Sequence, residues 1–210
     1  DGSFLLLNQD FFESATGVDS NLSQIQSNKK RFHDLPKMSF TTTNDLIDGH
    51  LNAKFDVVTC MEVIEHCALP ERELVLKNLN ALLKPGGHVV ISVPIEIGPT
   101  LLFKQLFRRI AGWRGIGDYK YIEPYSMSEL IKMVMATQNT EINRPVHEHV
   151  NPPAPPLKLH SHKGFNWRAL KKRLNQDFII DQTYFSPIPI NQGLVNSQVF
   201  FVCRKPDSTQ

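Results

Sequence analysis

The chain has 210 residues, a formal net charge of +2 at pH 7 and 41% apolar content, enough to bury one substantial core with a small cap but not two independent domains. A charge this near balance, with the basic residues dispersed apart from one segment around residue 105, excludes general nucleic-acid binding. Cys60, Cys67 and Cys203 form neither a Cys-x-x-Cys pair nor an even framework, and no run of about 18 apolar residues is present to span a bilayer, so a cytoplasmic protein is expected.

Taken in chain order, Asp1-Gly2-Ser3 leads into a helix expected to continue from Phe4 to Phe12, followed by a strand from Ala15 to Val18. Leu22 to Phe32 reads as a helix and Met38 to Thr43 as the next strand. In the run Phe55-Asp-Val-Val-Thr-Cys-Met-Glu-Val-Ile-Glu-His66, four apolar or β-branched residues give way to polar ones at Met61. A strand buried on both faces would do this on reaching the edge of its sheet, where ligands bind in open α/β folds. Glu71 to Leu83 carries leucines largely on one helical face, Pro85-Gly86-Gly87 is expected to end that helix in a tight turn, and His88 to Val93 is a further strand. This alternation predicts an open parallel sheet with crossover helices.

Residues 95 to 165 are too long for a plain connection and are expected to form a lid inserted at the carboxyl ends of the strands. Within it, Leu101 to Trp113 is a basic amphipathic helix, with Leu102, Phe103, Leu106, Phe107 and Ile110 to one side and Lys104, Arg108 and Arg109 around the rest. Its apolar face is expected to pack inward; the competing reading lays residues 101–114 on an anionic membrane. Ser126 caps a second helix reaching Thr137, with Glu129 completing a capping box. Asn151-Pro-Pro-Ala-Pro-Pro156 is a stiff extended link, after which Trp167 to Leu174 reads as a helix and Phe178 to Phe185 and Gln198 to Arg204 as a final strand pair.

Together, the strand-end Glu-Val-Ile-Glu-His at 62–66 and the Leu-Lys-Pro-Gly-Gly at 83–87 resemble the class I S-adenosylmethionine-dependent methyltransferases. The resemblance implies a Rossmann-like α/β fold whose mostly parallel sheet closes with a C-terminal antiparallel hairpin, an enzyme that transfers a methyl group, and S-adenosyl-L-methionine as cofactor. Asp1-Gly2 then looks like the tail of the family's glycine-rich cofactor loop, with the first strand and the first two glycines of that pattern absent. On this reading residues 1–210 are a single methyltransferase domain truncated at its amino terminus, lacking the strand that lies between Ala15–Val18 and Phe55–Cys60 in the family's sheet. Asp19, with Ser20, falls where the family holds the ribose, a reading preferred over Asp19 as a plain cap of the helix beginning near Asn21. Asn44 and Asp45 fall where the adenine amino group is met, or are ordinary turn residues, while Cys60, Met61 and Glu62 border the methionine part, chiefly through backbone.

On a helix Glu62, Glu65 and His66 would share one side, and such a set can hold a hard divalent cation. Small-RNA 2'-O-methyltransferases and some ubiquinone-pathway O-methyltransferases look similar here and use metal, but many relatives carry the same motif without one. The expectation is therefore no metal, with these residues as polar groups of a helix start. His160 and His162, in a His-x-x-Gly-Phe pattern that faces the acceptor pocket in similar enzymes, are the candidate general bases, set against a plain surface loop; nothing marks His147 or His149.

The expected activity is methyl transfer to a small molecule, glycan precursor or lipid-linked acceptor, with oxygen preferred over nitrogen because a histidine base is at hand. Two alternatives stay open. One is a metal-assisted RNA 2'-O-methyltransferase, for which Arg108, Arg109, Trp113, Arg114 and Tyr119 would have to contact nucleotides. The other is a non-catalytic scaffold that has kept the fold. Nothing in the pattern sets an oligomeric state.

Overall fold

β-Branched and aromatic runs form the strands and leucine-bearing segments the crossovers in a computed structural model that describes residues 2–47, 51–116, 124–149, 157–189 and 196–207. Contacts gather the chain into two compact units, Asp1–Asn52 and Ala53–Gln210.

In the first unit β1 (Ala15–Asp19) and β2 (Met38–Thr42) pair in parallel, with Ala15 opposite Met38 and Asp19 opposite Thr42. A parallel pair needs a crossover, supplied by α2 (Leu22–Arg31). Its cap is Asn21, whose side chain accepts from the amides of Ser23 at 2.9 Å and Gln24 at 3.3 Å. Ile25, Phe32, Met38 and Phe40 form a small core in which the rings of Phe32 and Phe40 stack at 5.5 Å. Gly17 is required in β1 because a Cβ there would stand 2.7 Å from the Phe40 ring. The helix expected from Phe4 to Phe12 is interrupted: α1 (Ser3–Leu7) ends at Asn8, whose side-chain amide donates to the Phe4 carbonyl at 2.7 Å, and one 3-10 turn follows. After β2 a short helix, α3 (Thr43–Ile47), begins at Thr43, the residue expected to end the strand.

The second unit holds a four-stranded sheet. Two of its strands, β3 (Phe55–Met61) and β4 (Leu83–Pro94), are parallel and are joined by α4 (Leu69–Leu82). β7 (Ile179–Ser186) and β8 (Gln198–Arg204) add the antiparallel hairpin, preceded by α7 (Trp167–Asp177), and the order across the sheet is β3-β4-β8-β7. Two expectations are corrected here. The Pro85-Gly86-Gly87 segment is no separate turn between helix and strand: Leu83 already pairs with Phe55, and the glycines lie where the register jumps to Val57 opposite His88. And β3, the edge strand of this sheet, has Val57 and Thr59 exposed on one face while Cys60 on the other is buried, instead of both faces being covered.

The lid region contains α5 (Thr100–Trp113), α6 (Met127–Val134) with its Ser126–Glu129 capping box, and an antiparallel pair, β5 (Val146–His149) with β6 (Leu157–His160). The extended link at 151–156 lies outside the described residues. α5 is turned the other way from the expected lid helix. Glu96, 1% exposed just beyond β4, accepts from Lys104 Nζ at 2.8 Å and from Arg108 at 2.8 and 3.2 Å. A buried carboxylate requires such partners, and they pull the cationic face of α5 inward beside Leu101. Leu102, Phe103, Leu106, Phe107, Ile110 and Trp113 are left exposed. Among the described residues no helix is long and apolar enough to cross a membrane.

Candidate active site

β3 ends against β4 in a sharp change of course. The Glu62 amide donates to the Ser92 carbonyl at 3.1 Å and its carboxylate accepts from Ser92 Oγ at 3.2 Å, while its backbone sits at φ 53°, a left-handed conformation that costs a non-glycine residue energy. That turn takes the place of the expected helix start. A single 3-10 turn, Ile64–His66, follows in place of a helix, and the Glu62 carboxylate stays close enough to act on the Glu65 carboxyl. Cys60 is buried with its thiol pushed up to about 12 by burial, which leaves its side chain chemically inert and only its backbone available. Met61 is half-buried beside it.

The turn delivers Glu65 and His66 to His162, whose position comes from the loop after β6. The Nε2 atoms of His66 and His162 are 3.2 Å apart, and Glu65 Oε1 lies 3.8 Å from the first and 3.9 Å from the second. His66 Nδ1 is 2.9 Å from the His160 carbonyl; since a carbonyl only accepts, Nδ1 carries the proton and Nε2 presents its lone pair to the cluster. Glu65 is fully buried, and its oxygens accept no hydrogen bond of good geometry. Burial, reinforced by the nearby Glu62 carboxylate, pushes its carboxyl up to about 8. Burial, followed by the His66 ring, lowers the His162 imidazole, favouring its neutral form.

Of the two candidate bases, the structure brings His162 to an open space and ties His160 down. His160 Nδ1 is 3.0 Å from the Pro145 carbonyl, and the ring serves β5–β6 packing. His162 and Glu62 line a cavity of about 540 Å³ together with the charged Glu96, Lys104 and Arg108 and the apolar Phe107, Ile110 and Ile116.

The first unit carries the remaining candidates. Asp19 ends β1, half-buried, and its Oδ1 accepts from the Asn21 amide at 2.9 Å; the helix cap is Asn21, which leaves the other Asp19 oxygen uncommitted to the helix. Ser20 is exposed beside it. Asp45 turns back on its own strand, accepting from Thr41 Oγ1 at 2.7 Å, the Thr42 amide at 3.0 Å and Thr42 Oγ1 at 2.8 Å. These bonds, that of Thr41 foremost, hold its carboxyl below the usual range; this is the turn-residue geometry. Asn44 is exposed on α3. Gly2 has φ 74° and a Cβ there would stand 2.6 Å from Phe32, so its glycine identity is fixed by packing as well as backbone. Asp1 lies outside the described residues.

Sequence reasoning missed two residues of this region. Glu96 follows a strand of apolar residues and gives no local sign of its two cationic partners. Arg144 sits in a polar stretch, yet its guanidinium reaches the backbone on both sides of the histidine pair.

A family model described as a methyltransferase domain matches residues 1–155. The ubiquinone biosynthesis O-methyltransferase of Vibrio vulnificus (strain YJ016) is 35% identical over 136 residues, covering 60% of this chain and 54% of that protein. Its counterpart in Vibrio parahaemolyticus is 34% identical over 139 residues, covering 61% and 55%. The chain thus spans about half the length of the curated relatives it matches. Among solved structures, a SAM-dependent methyltransferase from Methanosarcina mazei superposes with a TM-score of 0.59 at 16% identity, covering 98% of this chain and 87% of the other. The N-methyltransferase NodS of Bradyrhizobium japonicum WM9, in complex with S-adenosyl-L-homocysteine, gives 0.52 at 11% identity over 98% of this chain and 74% of its own. At such identities the structures speak for the fold alone. The family model, which covers well over half the chain, and this α/β architecture agree: the chain belongs to the methyltransferase-domain family, in the Rossmann-like class I fold.

Proposed function

We propose that the chain carries S-adenosylmethionine-dependent methyl transfer to a hydroxyl of a small amphipathic acceptor, with His162 as the base. The observation that carries this reading is the 540 Å³ cavity, which has His162 and Glu62 on its wall together with the apolar Phe107, Ile110 and Ile116. The cofactor's sulfonium supplies a methyl group that is already electrophilic, so the protein has to align the acceptor and exclude water. Asp19 is the residue assigned to the ribose hydroxyls, and the backbone from Cys60 to Glu62 is assigned to the methionine part. His162, held neutral by burial, takes the hydroxyl proton at Nδ1, while its Nε2–H donates to the His66 lone pair at 3.2 Å and steadies the imidazolium that forms. The ubiquinone-pathway relatives, named as O-methyltransferases, support oxygen as the acceptor atom.

A lipid-linked acceptor and a peripheral place on the cytoplasmic face of a membrane belong to the same reading. What supports them is the inverted α5, whose outward Phe103, Leu106 and Trp113 stand beside the exposed Arg109 and Arg114. Exposed aromatics flanked by cations suit an anionic bilayer. The test is transfer of labelled methyl from S-adenosylmethionine to a phenolic acceptor with and without a long alkyl tail, in the presence of anionic or neutral vesicles. Preferential methylation of the tailed acceptor on anionic vesicles is the expected result. Methylation of an RNA end instead, or no binding of the cofactor, overturns it in favour of the nucleic-acid enzyme or the scaffold; Tyr119, a candidate RNA contact, lies outside the described residues.

One observation favours a second reading of the cluster. Ligand atoms of Glu65, His66 and His162 all lie within 4.8 Å of one another, the buried Glu65 oxygens are orphaned, and His66 has its far nitrogen anchored to a carbonyl as metal-binding histidines do. The three groups fit a divalent cation, which would supply Lewis-acid polarisation of the acceptor hydroxyl. Turnover that survives excess chelator excludes this reading; turnover lost to chelator and restored by magnesium or manganese establishes it.

A further inference from the structure

We propose that Arg144 is the positioning residue of the His66–His162 pair, a role that rests on the reading of that pair as reactive. The two histidines are 96 residues apart and stand on separate pieces of irregular backbone: His66 on the 3-10 turn after β3, His162 on the loop after β6. No ladder of strand hydrogen bonds sets the distance between such segments. Arg144 does so directly. Its Nη2 donates to the Glu65 carbonyl, one residue before His66, and to the Ser161 carbonyl at 2.6 Å, one residue before His162. Its Nε faces the Lys163 carbonyl at 3.4 Å, one residue after His162.

Three carbonyl oxygens converging on one point repel one another unless donors lie between them. A guanidinium is suited to that place because it offers up to five N–H donors in one rigid plane, whereas a lysine ammonium offers a compact tetrahedral set on a freely turning stem. The plane is itself fixed: the Arg144 carbon lies 5.1 Å from the centre of the Phe165 ring, which is 2% exposed. Gly164 completes the arrangement. Its φ is 72° and a Cβ would stand 2.6 Å from Ile142 Cγ2, so the loop carrying His162 lies directly against the segment carrying Arg144. The His66 ring adds a parallel tie through Nδ1 to the His160 carbonyl at 2.9 Å, which orients the ring but leaves the His162 side of the pair to Arg144. Arg144 touches neither imidazole in these bonds and takes no part in proton transfer; it holds the backbone from which both rings project.

Placement errors of about 1 Å near reacting groups can cost 100-fold in rate. Loss of Arg144 should therefore lower kcat by roughly 10- to 100-fold while KM and cofactor affinity stay within about twofold. The decisive measurement needs no acceptor. In the full chain with labelled histidines, NMR should show a nuclear Overhauser contact between the rings of His66 and His162, whose centroids are 4.8 Å apart. We expect that contact to disappear in Arg144→Ala and to return when guanidinium is added far below denaturing concentrations. Arg144→Lys keeps the charge and an aliphatic stem over Phe165, so it serves if the alanine variant does not fold; it too should lose the ring contact. Retention of the contact in either folded variant overturns the positioning role, whatever turnover does. Loss of the contact with undiminished methyl transfer supports the positioning role and instead overturns the assignment of the reaction to the histidine pair.

Discussion

His66 Nε2 stands 3.2 Å from His162 Nε2, a separation at which two imidazoles must have a proton or a cation between them. With the Nδ1 proton of His66 committed to the His160 carbonyl, the pair shares one proton along the Nε2–Nε2 line when no cation is bound. Replacing His162 with Ala is expected to cut methyl transfer by roughly 100- to 10,000-fold, the usual span for a lost general base. Calorimetry should find S-adenosylmethionine binding unchanged; equal loss of both would assign His162 to cofactor binding.

The buried carboxyl next to that pair gives a pH signature. Glu65 holds its proton up to about pH 8 in the folded chain, against an ordinary value near 4.5. The folded state therefore binds more protons than the unfolded state between those values, so this group's contribution to stability is fully present below about pH 4.5 and declines as pH rises towards 8. The total is a few kcal/mol at about 1.4 kcal/mol per unit. Urea titrations of the chain in chelator at a series of pH values should show that decline, and Glu65→Gln should flatten it. A slope of the same size in the variant would mean that Glu65 is ionised in the fold.

In the first unit the two acidic candidates should part company. If Asp19 accepts from both ribose hydroxyls, Asp19→Ala costs roughly 2 to 4 kcal/mol of cofactor binding, and Asp19→Asn less. Asp45 already accepts three hydrogen bonds from Thr41 and Thr42. Asp45→Ala is expected to loosen the end of β2 and leave cofactor affinity near its original value. Titration calorimetry on the pair of variants reads both outcomes.

Glu96 should prove a structural carboxylate. Removing one member of a buried charged cluster typically costs about 3 to 5 kcal/mol, and because Lys104 and Arg108 keep some exposure, 18% and 22%, the lower end of that range is expected for Glu96→Ala. Thermal melts would measure it. An unshifted midpoint would show that the two cations rehydrate freely and that α5 is held by other contacts.

The strands of the sheet were legible because β-branched runs bounded by glycine, proline and asparagine have few alternatives, and the Ser126–Glu129 box announced the start of α6, which ends at Val134, short of the expected Thr137. The orientation of α5 was not legible. Periodicity identifies which residues share a face, but which face turns inward was decided by Glu96, a single charge outside the helix. The β5–β6 pair escaped for a similar reason: Val-His-Glu-His is too short and too polar to read as a strand, and only its partner Leu157–His160 makes it one. For Glu62, Glu65 and His66 the spacing suggested a helical face. The left-handed backbone at Glu62 broke that regularity, and the third member of the cluster came from His162 instead.

The inverted seating of α5 also makes its outer surface editable. Phe103, Leu106 and Trp113 take no part in the Glu96 anchor and do not line the cavity. Replacing all three with glutamine or lysine would therefore leave the helix seated while removing an exposed apolar surface of the second unit. The product should stay monodisperse without detergent and give a practical starting material for crystallisation and calorimetry alike.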